Sequence, residues 1–174
     1  ECKRLGLKML LPSINKSNNE YTGKKDEIQI GLMAIKNLSR NSIQKILDER
    51  KKDGEYHSLA DFLIRTKLAF EETSILIKCG AMGCFKKTRP ELLRLLDIYI
   101  HKRKILNESY NDLFLHETFA MEDEVKTNIN FSVEEICKTE YESFDYMVTR
   151  HPLYFYRSFT EHSSIVKARD LSKH

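Results

Sequence analysis

Apolar residues between positions 31 and 79 recur at helical spacing in two successive blocks, 31–52 and 58–79, each interrupted by a tight turn. In the first block, Leu32, Met33 and Ile35 open a short helix and Asn37-Leu38-Ser39 breaks it. Ile43, Ile46 and Leu47 then resume the period, which ends in Arg50-Lys51-Lys52 before Gly54, where late basic residues complement the helix dipole. In the second block, Ser58-Leu59-Ala60-Asp61 has the spacing of a capping box, with Leu59, Phe62 and Leu63 facing inward. Thr66-Lys67-Leu68-Ala69 forms its turn, and a further helix runs over residues 71–79 to a stop at Gly80. Two helix–turn–helix units in succession predict a mainly α fold. The six Gly and three Pro of the 174 residues are too few for a turn-rich β architecture.

Around this centre the sequence divides into four parts. Residues 1–30 come first, of which 7–30 are the least helical: 20–22 and 27–30 alternate about Gly23-Lys24-Lys25-Asp26 and predict a small β-hairpin, and Leu10-Leu11-Pro12 is an extended strip. Glu1-Cys2-Lys3-Arg4-Leu5-Gly6 reads as a helix end meeting a glycine stop, so a longer chain is expected upstream. Residues 31–106 form the tandem hairpin domain, closed by a long helix that Thr88-Arg89-Pro90-Glu91 opens and whose Leu92, Leu95, Leu96 and Tyr99 suit burial. Residues 107–131 lose the period, turn acidic and predict a linker. Residues 132–174 resume with the capping box Ser132-Val133-Glu134-Glu135, a break at His151-Pro152, and a short aromatic helix whose Tyr154, Phe155, Tyr156 and Phe159 are expected in a core or at an interface with a further domain. Residues 165–171 are expected to hold a turn and a short strand.

No part of the sequence supplies a catalytic apparatus. The six histidines lack paired metal-ligand spacing, no Ser or Cys sits in a nucleophile elbow, and there is no Gly-rich phosphate loop. The acids fall mostly at helix starts and in the linker, where capping explains them. Cys2, Cys79, Cys84 and Cys137 are scattered and predict buried or half-buried thiols of a reducing compartment, with no metal site. No apolar run is long enough for a transmembrane helix, and a membrane partner is not expected. The chain is expected to be non-catalytic.

Charge points to a partner. Residues 1–110 carry 22 Lys and Arg against 14 Asp and Glu, a net +8, while residues 111–174 carry 7 against 12, a net −5. A basic first part is where a polyanion would dock. The turn of a helix-hairpin-helix suits that use, because its backbone N–H groups and the start of the next helix point outward together and can hold a phosphate oxygen. Such a contact positions a duplex without reading bases. The turn is usually Gly–apolar–Gly. Here Asn37-Leu38-Ser39 replaces it, with Lys36, Arg40, Asn41, Ser42 and Lys45 around it. Lys67, Lys86, Lys87 and Arg89 form a second cluster, and the hairpin at Thr66-Lys67-Leu68-Ala69 also lacks glycine. Solvation and helix capping are the ordinary uses of the same Lys and Arg.

The order of motifs along the chain resembles the bacterial DNA polymerase III alpha subunit family. The likeness runs through Glu1-Cys-Lys-Arg-Leu-Gly-Leu-Lys8, Leu11-Pro-Ser-Ile-Asn15, Ile28-Gln-Ile-Gly-Leu32, Ala34-Ile-Lys36, Ser58-Leu-Ala-Asp-Phe62 and Leu76-Ile-Lys-Cys-Gly-Ala81. It continues with Gly83 ahead of Arg89 and closes with Tyr146-Met-Val-Thr-Arg-His-Pro-Leu153, a stretch that leans toward the error-prone relatives. The resemblance implies a C-terminal portion of a polymerase: the end of the fingers, a tandem helix-hairpin-helix that holds duplex primer–template, and helices leading toward an OB-fold. It implies a cytoplasmic nucleotidyltransferase parent whose magnesium-binding palm acids lie upstream of this segment. The neighbouring polymerase domains are implied partners, as is a sliding clamp through the full-length chain. Met82-Gly83 departs from the apolar-Asp pair usual after Gly80-Ala81. The missing turn glycines favour a second reading, a connector between domains whose hairpins no longer touch DNA. A third reading is a protein adaptor using the aromatics near residue 155.

Overall fold

Three short strands frame the first thirty residues. In the computed structural model, which describes residues 2, 4–106, 125, 127 and 129–162, β1 (Lys8–Leu10), β2 (Thr22–Lys24) and β3 (Glu27–Gln29) make one sheet in the order β1-β3-β2. The predicted hairpin is present, with Thr22 opposite Gln29 and Lys25 at φ 53° in the turn. The extended strip before Pro12 joins the same sheet, parallel to β3 with Met9 opposite Ile28. A parallel pair needs a long crossover, so no local signal in the sequence announces it.

The expected helix at the start of the first hairpin is only one 3-10 turn, Leu32–Ala34. The amides of Leu32 and Met33 donate to the carbonyls of Asn18 and Asn19 at 2.9 and 3.0 Å. Gly31 makes that approach possible. A Cβ there would lie 2.3 Å from the Glu20 carbonyl carbon, so the two backbones meet at a distance only glycine allows.

The helices follow: α1 (Arg40–Asp53), α2 (Leu59–Thr66), α3 (Phe70–Lys78), α4 (Arg89–Leu106), α5 (Val133–Phe144) and α6 (Arg157–His162). Caps set most of their starts. Ser58 Oγ accepts from the Asp61 amide at 3.0 Å. Thr88 and Glu91 exchange bonds at 3.4 and 2.8 Å, and Ser132 and Glu135 complete a reciprocal box. The inward faces of α1 to α4 form one core in which Ile46, Phe62, Leu76 and Leu95 have no exposed surface. Burying such side chains contributes about 1.5–3 kcal/mol each.

Polar ties join this core to the N-terminal segment. Asn15 bonds the backbone of Tyr56 in both directions at 2.9 Å, and Arg50 Nη1 donates to the carbonyls of Ile14 and Ser17 at 2.8 and 2.9 Å. Arg50, expected only to complement a helix dipole, is thus partly buried, and burial lowers its pKa. Arg65 closes the other side. It donates to the carbonyls of Glu49, Gly54 and Glu55 and stacks 4.2 Å over the Tyr56 ring.

Two expectations for the C-terminal part meet the structure differently. Tyr154, Tyr156 and Phe159 are 45%, 62% and 68% exposed and so do not join the core, the first of the two placements expected for them. Within the acidic stretch, Val125 is buried with the core, and the Thr127 amide donates to Glu91 Oε1 at 2.7 Å. Residues 107–124, 126 and 128, and the turn and strand expected over 165–171, lie outside the described residues. The four cysteines are unpaired, with Cys79 and Cys137 buried but Cys84 exposed, contrary to its expected burial. No described helix is long and apolar enough to cross a membrane.

Candidate nucleic-acid interface

Both hairpin turns adopt one backbone path. Asn37 stands at φ 59° and Lys67 at φ 51°, each in the left-handed region that a Gly–apolar–Gly turn gives to its first glycine. Asn tolerates that region; Lys takes it at a cost of roughly 1 kcal/mol. The apolar centre follows: Leu38 is buried at 8% exposure and Leu68 at 2%. Third come Ser39 (φ −69°, ψ 149°) and Ala69 (φ −69°, ψ 160°), the N-cap residues of α1 and α3. The two turns stand thirty positions apart, and neither needs its missing glycines to keep the geometry.

Their helix starts are covered differently. At the first, Ser39 Oγ accepts from the Ser42 amide at 3.1 Å. The Ser39 amide itself donates to Glu72 Oε1 at 3.0 Å, and the Ser42 hydroxyl donates to Glu72 Oε2 at 2.7 Å. Burial pushes the Glu72 carboxyl up, but the bonds from Ser42 and Ser39 and the charge of Lys45 outweigh it and hold the pKa below its ordinary value. Ser42 and Glu72 are equivalent positions under the thirty-residue offset, so corresponding points of the two hairpins meet. At the second turn Ala69 has no side-chain cap, and the first amides of α3 have no acceptor within the helix.

A third turn repeats part of the pattern. Lys86 takes φ 55°, followed by Lys87 and by Thr88 at the start of α4. Here the Thr88 amide is held by Glu91, which is itself buried.

The sequence-predicted residues therefore separate into groups. Arg40, Asn41 and Lys45 are exposed on the first turns of α1, and Lys67 and Lys86 are exposed at their own turns. Lys36 is drawn away: its ammonium pairs with Asp145 beyond α5, and its amide donates to the Ser143 carbonyl at 2.9 Å. Ser39 and Ser42 are committed to Glu72, and Leu38 to the core. Lys87 is half-buried. Arg89, expected among the outward basic residues, points inward. Its guanidinium lies against Gly80, where a Cβ would come within 2.7 Å of Nη2, and it donates to Thr139 Oγ1 at 3.3 Å. Burial lowers its pKa, and nearby Glu140 partly offsets the cost.

Sequence reasoning missed Glu72. It stands beside the similar Glu71, and only the meeting of the first turns of α1 and α3 selects one of them. Also missed was Glu140, fully buried, whose carboxylate accepts the amides of Val148 and Thr149 at 2.8 Å and so fixes the segment after α5. Glu72, Glu91, Glu135 and Glu140 each serve backbone amides or hydroxyls, and among the described residues no group of three or more His, Cys, Asp or Glu converges.

Comparison with known proteins agrees with this geometry. A family model described as the helix-hairpin-helix motif matches residues 6–92. Over 172 residues, the chain is 31% identical to the DNA polymerase III subunit alpha of Buchnera aphidicola, covering 92% of this chain and 15% of that protein. It is 30% identical over 169 residues to the subunit of the same name from Borreliella burgdorferi (88% and 14%) and 25% over 182 residues to that of Chlamydia muridarum (98% and 15%). The chain thus spans about 15% of the length of these relatives.

Proposed function

The chain belongs to the helix-hairpin-helix family, and from that premise we propose that it is a duplex-holding segment of a DNA polymerase III alpha-type chain, gripping phosphates without reading bases. The observation that carries this reading is the turn Lys67-Leu68-Ala69. Its left-handed Lys67, buried Leu68 and uncapped Ala69 present a positive side chain beside the first amides of α3. That combination of dipole, N–H donors and cation suits one phosphate oxygen. Exposed Arg40, Asn41, Lys45 and Lys86 supply further contacts, each adding about one unit to the salt slope of affinity. The parent chain, on this reading, is a nucleotidyltransferase whose chemistry lies outside this segment.

A second reading, a connector between polymerase domains, draws support from the first hairpin, where Lys36 and the Ser39 amide are engaged internally. Fluorescence anisotropy of a labelled primer–template duplex at two salt concentrations separates the two. Salt-sensitive binding that Lys67→Glu weakens supports the duplex-holding role. Binding absent at low salt, or indifferent to Lys67→Glu and to joint reversal of Arg40 and Lys45, leaves the connector.

A further inference from the structure

The first hairpin has the donors of an anion site, and an anion already lies on them. Two groups donate to the Glu72 carboxylate, the Ser39 amide at 3.0 Å and the Ser42 hydroxyl at 2.7 Å, and the charge of Lys45 on α1 adds a weaker attraction. Ser42 is only 6% exposed, so its hydroxyl is a fixed part of the turn rather than a surface group. The amide of the N-cap residue is the donor that a hairpin of this kind offers to a phosphate. The carboxylate comes from the other hairpin, two residues into α3, at the position equivalent to Ser42 itself.

We infer that Glu72 decides which hairpin takes a phosphate: its carboxylate fills the first turn as an internal anion, leaving the second as the contact to duplex. The inference rests on the proposed duplex-holding role and refines it. A phosphate oxygen and the Glu72 carboxylate need the same amide and hydroxyl, so they exclude one another. Without the carboxylate, Ser39, Ser42 and Lys45 form a site with two hydrogen-bond donors and a neutralising cation.

The test is duplex affinity of the whole 174-residue chain against salt for wild type, Glu72→Ala, Glu72→Gln and Glu71→Ala, with circular dichroism verifying the fold. Glu71 is exposed on the same turn and carries the same charge, so its removal reports simple electrostatics. Opening the first turn should raise affinity about tenfold for Glu72→Ala, the gain of one charge-assisted contact to phosphate. The salt slope should steepen by about one phosphate contact. Glu72→Gln should show a smaller gain, Glu71→Ala should leave the slope unchanged, and adding Lys45→Glu to Glu72→Ala should remove the gain. Wild-type binding with equal responses in Glu72→Ala and Glu71→Ala overturns the inference and leaves the duplex-holding role standing. Binding by Glu72→Ala alone overturns the inference, because the second hairpin then holds no duplex in the wild-type chain. No binding by any of the four at low salt ends both.

Discussion

Asn37-Leu38-Ser39 and Lys67-Leu68-Ala69 trace one backbone, left-handed, then buried, then extended, yet they face different surroundings. Over the first lie the Ser39 side-chain cap and the Glu72 carboxylate; over the second there is no side-chain cap. The contrast teaches that the hairpin backbone and phosphate contact are separable properties. The backbone depends on a leucine in the core and a residue that accepts positive φ. Phosphate contact depends on whether the amides that follow already have an acceptor.

The largest expected effect tests what the turns share. Leu68→Ala and Leu38→Ala should each cost about 2–5 kcal/mol, measured by urea denaturation, with Leu68 the more severe because it is the more deeply buried. Equal tolerance of both would break the idea that a buried apolar centre anchors the turn. Next comes what distinguishes them. Lys67→Glu should lower duplex affinity about tenfold and reduce the salt slope, whereas Lys36→Glu should leave affinity nearly unchanged because that ammonium is paired with Asp145. Lys67→Gly sharpens the point: it relieves the positive φ and keeps the turn, so stability should hold while salt-sensitive binding falls. A Lys67→Gly protein that binds as wild type would show that the ammonium is not the contact.

Smaller effects concern the caps. Ser39→Ala should cost about 1 kcal/mol of stability, and Ala69→Ser should return a few tenths to 1 kcal/mol by giving the second helix the cap it lacks, both read from thermal melts. The smallest is a pH effect on the first turn alone. The Glu72 pKa is lowered in the folded chain, so its contribution is present above its ordinary value of 4.5 and is lost as pH falls through the folded value. Comparing the acid limbs of wild type and Glu72→Gln should show a shallower loss in the variant.

Much of the helical frame was legible because caps are local. Ser58, Thr88 and Ser132 announce their helices from three or four residues, and the structure places the bonds there. The 3-10 turn at Leu32–Ala34 was not legible as such, since its amides are taken by Asn18 and Asn19 from another segment. The exposure of the expected basic residues was half legible. Lys67 and Arg40 stand exposed as their surroundings suggested, but Arg89 differs from Lys86 only in packing beside Gly80 and α5, which no charge count contains. Glu72 was invisible for the same reason: its role exists only once two segments thirty residues apart face each other.

The Arg65 clamp has a consequence for the order in which this chain folds. Its partners at Glu49, Gly54, Glu55 and Asp61 all lie within 16 residues of it, so closing that clamp costs little loop entropy. The ties from Asn15 to Tyr56 and from Arg50 to Ile14 span 41 and 36 residues. On these loop lengths the span from α1 through α2 is predicted to nucleate folding, with the segment around Ile14 and Asn15 docking on it afterwards. A substitution at Arg65 should therefore slow refolding, whereas one at Asn15 should chiefly speed unfolding.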